Sequence, residues 1–274
     1  MKKHLLFFTI LIISLFIILS QAVFADDPEA RGIMEKVDAR DDGDNQTSDM
    51  EMILIDKKGQ ERVRKIHSFG KDKGEDGLRL MFFLQPADVK NTGFLTYDYD
   101  DPKKDDDQWL YMPALRKTKR IASSDKSGSF MGSDLNYSDM TSRNLEDFDF
   151  TFYGKKKEME VNGKKVWVIE SSPRTKKVIK ETGYEKSILF VRQDNYFIIR
   201  AISYEEKKGY KKFMEVKNLD KIDGIWVSTE MHVTRKRGKG NELVHKTILK
   251  MSNIKFNQNL NYDLFTTRRL EKGL

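Results

Sequence analysis

Hydrophobic and polar positions divide the chain into three stretches. An apolar run comes first, Leu5 to Leu19, interrupted only by Thr9 and Ser14. A short amphipathic helix is predicted next, from Pro28 to about Arg40. Asp26 and Asp27 stand where a helix N-terminus favours acid, Pro28 suits the first turn, and Ile33, Met34 and Val37 make one apolar stripe at helical spacing. Asp41-Asp42-Gly43-Asp44 ends it.

Beyond it the pattern predicts strands. Met50 to Ile55 opens with alternation, and Leu78 to Leu84 is a denser apolar run. Lys157 to Val161 and Lys164 to Ser171 flank Asn162-Gly163, a two-residue hairpin signal because both residues tolerate positive φ. Ile188 to Arg192, Phe197 to Tyr204 and Lys211 to Leu219 continue the series. Ile225 to Thr234 alternates most cleanly, with Ile225, Val227, Met231 and Val233 on one face. Lys246 to Phe256 is the last long strand, Asn261 to Phe265 reads as a helical turn, and the basic end is expected to fray. Val63, Ile66 and Phe69 recur every third residue, so Glu61 to Phe69 fits a helix by period alone; its strand-rich surroundings favour a strand. Strands in succession with one polar face predict an antiparallel sheet. With few helices to cover it, so large a sheet must curl, and its concave apolar face must be filled by helices or by a ligand.

The first 25 residues change the picture of location. Lys2 and Lys3 precede the apolar run, Val23 and Ala25 occupy the positions a signal peptidase reads, and Asp26-Asp27-Pro28 follows at once. This is the order of a cleaved secretory signal peptide. The competing reading is an uncleaved inner-membrane tether, since Leu5 to Phe24 approaches the roughly 20 apolar residues that span a bilayer. Cleavage would leave 249 of the 274 residues, a size at which all-β units fold as one domain, so 26–274 is read as a single domain. No cysteine is present, so neither a disulfide framework nor a lipidated cysteine after the leader is available. Of the formal charge of +7, the two leader lysines supply two, leaving a mild +5. Basic runs such as Lys155-Lys156-Lys157 and Arg235-Lys236-Arg237 read as solvated turns. Export argues against a nucleic-acid partner and for a membrane surface or an acidic protein patch.

The most distinctive stretch is Gln108 to Met140. It reads as a strand, a proline corner and a basic strand from Trp109 to Ile121, then a glycine-bounded loop and a short helix capped by Ser133 or Asp134. Trp109-Leu110-Tyr111, Pro113-Ala114-Leu115-Arg116-Lys117 and Arg120-Ile121 form one block. Phe130, Gly132, Ser133, Asp134, Tyr137, Asp139 and Met140 form a second. These blocks resemble those of the outer-membrane lipoprotein-sorting proteins, the LolA-like family. The resemblance implies a mainly β (α+β) fold: a curled antiparallel sheet forming an incomplete β-barrel closed by short helices around an apolar cavity. It also implies a periplasmic carrier that holds acyl chains of lipoproteins or other lipids and moves them towards the outer membrane, with an inner-membrane lipid exporter as a possible companion. An acyl chain in water costs about 0.8 kcal/mol per methylene, so such a carrier needs a deep apolar groove. Trp109, Tyr111, Met112, Leu115, Phe130 and Met131 are the residues expected to line it. The methionines of the chain suit varied clients, although each taken singly also fits an ordinary core position.

Candidate chemistry adds little. No Gly-x-Ser-x-Gly elbow or His-Glu-x-x-His spacing occurs, and His67, His232 and His245 lie far apart in the sequence. Asp98, Asp100, Asp101 and Asp105-Asp106-Asp107 form an acidic loop without the glycine and closing glutamate of an EF-hand, and read as a solvated hairpin tip. Asp134 and Asp139 could be a catalytic pair, but capping and loop hydrogen bonds account for them. No enzymatic activity, cofactor or metal is expected. Arg116, Lys117, Lys119 and Arg120 are candidates for facing lipid headgroups or a membrane partner. The alternative to a carrier is a module of the same fold that docks on a lipid exporter or senses lipoproteins without transferring anything.

Overall fold

The computed structural model describes residues 26–154 and 157–274. The predicted signal peptide lies outside the described residues, as do Lys155 and Lys156 of one basic run. Among the described residues, no helix is long and apolar enough to cross a membrane.

Fourteen strands form one antiparallel sheet among the described residues. They are β1 (Asn45–Asp56), β2 (Glu61–Lys73), β3 (Asp76–Gln85), β4 (Gly93–Asp98), β5 (Asp107–Met112), β6 (Lys117–Arg120) and β7 (Phe148–Phe152), then β8 (Glu158–Val161), β9 (Lys164–Pro173), β10 (Tyr184–Arg192), β11 (Ile198–Glu205), β12 (Tyr210–Ile222), β13 (Ile225–Arg237) and β14 (Glu242–Phe256). Two meanders, β1 to β6 and β9 to β14, are joined where β1 pairs with β14, from Gln46 opposite Phe256 to Asp56 opposite His245. β6 and β7 are the two ends of the path, so the sheet is not closed into a barrel. Three short α-helices accompany it among the described residues: α1 (Pro28–Asp38), α2 (Lys176–Thr182) and α3 (Thr267–Lys272).

Local chemistry accounts for most boundaries. The Asp27 carboxylate accepts from the backbone N–H groups of Glu29 and Ala30 and starts α1, and Ala30, Ile33 and Met34 are its buried stripe. Asn162 and Gly163 take positive φ, 51° and 74°, and close the β8–β9 hairpin. Glu61 to Phe69 is strand. In a pleated chain every third residue changes face, which is why Ile66 enters the concave core while Phe69 packs on the convex side. Two elements differ from expectation. α2 is set between β9 and β10 by the Thr175 cap and ended by Gly183 in the left-handed region. The C-terminus docks instead of fraying: Thr266 caps α3, and Leu270 is fully buried.

Both faces of the curl are covered. On the convex side the C-terminal segment lays Phe265 and Leu270 over Leu80, Phe82 and Leu95. Gly93 makes that possible, since a Cβ there would stand 2.5 Å from Leu270 Cδ1. On the concave side α1 packs against β7 and β9 to β11 through Phe148, Phe150, Ile169 and Val191. The chain between β6 and β7 covers most of the remaining concave surface and leaves one end of it open.

Candidate ligand-binding site

The segment from Phe130 to Met140 lies on the concave face as a plug. Phe130, 1% exposed, meets Phe94 at 4.9 Å and Phe83 at 6.3 Å between ring centroids, and Tyr137 meets Phe94 at 5.8 Å. Leu135 and Met140 join the same cluster beside Met52, Leu54, Ile66 and Leu249. The plug has no long helix or strand to hold its shape. Phe130 N–H donates to Leu135 O at 2.7 Å, Tyr137 N–H donates to Gly128 O at 3.1 Å, and Met131 and Gly132 turn with φ of 51° and 74°.

Polar pins fix it to the sheet. Asp134 does not cap a helix, contrary to the sequence expectation. Its N–H donates to Thr247 Oγ1 at 2.9 Å, and its carboxylate accepts from the Thr247 hydroxyl and meets His245 Nδ1, both at 2.7 Å. The short turn Tyr137–Met140 starts instead at Asn136, whose N–H donates to Asp139 Oδ2 at 2.8 Å. Asp139 also accepts from the Tyr184 hydroxyl at 2.8 Å. Lys212, on β12, donates to Asn136 Oδ1 at 2.7 Å and to Tyr184 Oη at 2.9 Å, with Asp139 3.8 Å away. Burial, then Asp139, pushes the Tyr184 phenol well above its ordinary pKa. Burial pulls the Lys212 ammonium down, while Asp139, Glu205 and Asp134 oppose it. The sequence pointed to Asp134, Asp139 and His245. Nothing in it singled out Lys212 or Tyr184, whose role comes from strands far from the plug in sequence.

The residues expected to line one cavity fall in three places. Met112, Phe130 and Met131 come together in the concave cluster. Trp109 and Tyr111 point to the other face, where they pack beneath the C-terminal segment, with Trp109 5.1 Å from Tyr97. Leu115 is 66% exposed at the tip of the β5–β6 connection. Arg116 is left-handed at the same tip, at φ 47°. Lys117 is exposed. Lys119 pairs with Asp125 at 3.2 Å, and Arg120 pairs with Asp107.

An open cavity of about 990 Å³ remains at one end of the concave face. Its floor includes Met50, Met81 and Met251, and its rim includes Asp38, Asp72, Asp98, Asp106 and Asp147. The acidic loop is therefore not wholly a solvated tip. Asp98 is buried and accepts from Ser142 N–H at 2.7 Å, and Asp106 accepts from Tyr99 N–H at 3.0 Å. Lys126, 1% exposed, donates to Glu181 at 2.8 Å and lies 3.8 Å from Asp106. Burial raises the pKa of Asp38, Asp106 and Asp147.

On this rim the Asp72 carboxyl is pushed up to about 6 by burial and then by Asp42 and Asp44. A carboxyl raised in the folded state binds more protons folded than unfolded, so stability falls as pH rises from about 4 through about 6. Asp72→Asn is therefore expected to melt about 2–4 °C above the parent at about pH 8, a gain of no more than ~1 kcal/mol once solvent screening is allowed for. The difference should vanish near pH 4, where the parent side chain is also neutral; melting curves at the two pH values check it.

Comparison with known proteins places this geometry. A family model described only as an uncharacterized protein matches residues 75–272. A DUF1329 family protein from Desulfovibrio piger superposes with a TM-score of 0.80 at 28% identity, covering 90% of this chain and 99% of that one. A domain assigned to the outer membrane lipoprotein-sorting proteins of Vibrio parahaemolyticus gives 0.78 at 30% identity, covering 89% and 98%. A LolA superfamily protein from Nitrosomonas europaea gives 0.64 at 19% identity, covering 88% and 98%, a likeness of fold. Among curated proteins none matches the chain.

Proposed function

The chain belongs to the family of outer-membrane lipoprotein-sorting proteins, and from that premise we propose that it is a periplasmic carrier that binds acyl chains of lipoproteins or other lipids and moves them towards the outer membrane. The observation that carries this reading is the plug. A curled sheet whose concave face is filled by an irregular segment, apolar in its middle and pinned by a few polar contacts, can exchange that segment for an acyl chain with little rearrangement of the strands. Phe83, Phe94, Met52 and Leu249 would then meet methylenes in place of Phe130 and Leu135. Met112, Phe130 and Met131 are the predicted site residues this reading keeps. Methionines around the rim of the cluster, Met50, Met81, Met214 and Met231, suit clients of varied shape.

The reading gives the Lys212–Tyr184–Asp139 group a holding role, because these polar atoms already engage one another and the plug. Mass spectrometry of organic extracts from protein purified from its host is expected to find acyl ligands, and the protein is expected to take up a fluorescent fatty acid. Absence of both overturns the proposal.

The filled concave face also favours a second reading, a non-transferring module that docks on a membrane lipid exporter or senses lipoproteins. That reading expects a stable membrane partner in pull-downs and no movement of labelled lipoprotein from donor to acceptor vesicles.

A further inference from the structure

Three neighbouring hairpins end on one side of the sheet: β1–β2, β11–β12 and β13–β14. β2, β1, β14, β13, β12 and β11 are consecutive in the sheet. Asp56 faces His245, Tyr210 faces Arg237, and Gly238 N–H donates to Gly209 O at 2.8 Å, so the turns adjoin. Their exposed cations are Lys57, Lys58, Lys207, Lys208, Arg237 and Lys239. The nearby acids are mostly engaged. Glu205 takes two hydrogen bonds from Arg235, at 2.7 and 2.6 Å. Glu242 pairs with Arg237 at 3.6 Å. The Asp56 carboxylate accepts from the N–H groups of Lys58 and Gln60 in its own turn. Glu61 and Glu206 are uncommitted, and among the described residues the five lysines have no carboxylate partner within ion-pair distance. Leu243, 46% exposed, stands at the head of β14 beside them. The opposite ends of the same strands carry Asp44, Asp72, Glu75, Asp220 and Asp223, interleaved with Lys71, Lys73, Lys221 and Lys255. The excess of cations is therefore at the hairpin end, while the charges at the opposite end nearly balance.

We propose that the basic hairpin end docks on an anionic phospholipid surface. Meeting such a surface breaks no ion pair of these lysines. The unpaired donors are five lysines on tight turns, each a compact point charge on a flexible stem. A fluid headgroup layer asks only for charge density, whereas a folded acidic partner is read more effectively by positioned arginine forks. Leu243 supplies an apolar contact at the headgroup boundary. The opposite end offers no comparable excess of cations, so docking is oriented. The proposal does not rest on the carrier reading, since a protein that carried nothing would dock equally well.

Co-sedimentation of the protein, purified as its host exports it, with phosphatidylglycerol–phosphatidylcholine vesicles tests it. Binding is expected to exceed that to phosphatidylcholine alone and to be lost at high salt. The quadruple variant Lys57→Glu/Lys58→Glu/Lys207→Glu/Lys208→Glu should bind roughly a hundredfold or more weakly, since each surface lysine contributes about fivefold, the equivalent of ~1 kcal/mol. Lys73→Glu/Lys221→Glu, at the opposite end, should bind like the parent, and unchanged circular-dichroism melting of both variants secures the comparison. Equal binding to the two vesicle types, no effect of the quadruple variant, or retention by an immobilised acidic polypeptide without vesicle binding overturns the proposal.

Discussion

Phe130→Ala is expected to lower the melting temperature by roughly 6–20 °C and, at the same time, to increase uptake of a fluorescent fatty acid. The first effect follows from packing. Phe130 is 1% exposed among Phe83, Phe94 and Tyr137, and truncating such a side chain costs about 3–5 kcal/mol through lost transfer energy and a residual cavity. Each kcal/mol moves the midpoint of a chain of this size by about 2–4 °C. The second effect follows from what the side chain occupies. If the plug stands where an acyl chain binds, removing its largest apolar group weakens the competitor and leaves an apolar void that methylenes can fill. A substitution at Leu270, equally buried but on the C-terminal segment that covers the convex face, should lower the midpoint without changing uptake. Loss of stability with unchanged uptake in Phe130→Ala would show the plug to be ordinary core, and the carrier would then need another groove.

How far the sequence carried this picture depended on the range of the forces involved. Signals confined to a few neighbouring residues were legible. The Asp27 cap and the stripe Ile33–Met34–Val37 marked α1, Asn162-Gly163 marked a hairpin, and alternation marked β13. The blocks around Trp109 and Phe130 carried the family and hence the curled sheet. Short elements whose reason lies elsewhere in the fold were not legible. α2 has only seven residues, and α3 is fixed by burial of Leu270 against Gly93 and Phe82, which periodicity cannot reveal. The site residues show the same division. Trp109 and Phe130 are both large and apolar, yet the pleat of β5 sends Trp109 to the convex face while the crossing of the plug puts Phe130 on the concave one. The fate of Arg120 and Lys119 depended on Asp107 and Asp125, and the basic hairpins gained meaning only once strand order made their turns adjacent.

Lys212→Met is expected to lower the melting temperature by roughly 6–12 °C and to loosen the plug more than the sheet. Lys212 is 7% exposed, and its ammonium holds Asn136 and Tyr184 by hydrogen bonds. Breaking a buried charge group by removing one partner costs about 3–5 kcal/mol, because the remaining polar atoms stay buried without compensation. The lower part of that range applies here, since Asp139 keeps its bond from Tyr184 and stands 3.8 Å from the ammonium, and burying the cation is itself unfavourable. About 3 kcal/mol corresponds to the stated shift at 2–4 °C per kcal/mol. The Asp139 carboxylate keeps Arg143 at 3.6 Å, so the coupling of Lys212 to Asp139 is read as the non-additivity of Lys212→Met/Asp139→Asn against the two single changes. Hydrogen exchange localises the effect. Amides of Leu135, Tyr137 and Asp139 should exchange faster than in the parent while those of β3 slow or quicken only with global stability. Faster exchange confined to the plug, accompanied by greater fatty-acid uptake, would make the buried lysine the latch that sets how readily the concave face opens. A uniform change across the sheet with no change in uptake would reduce it to a structural cation that stabilises the fold without gating it.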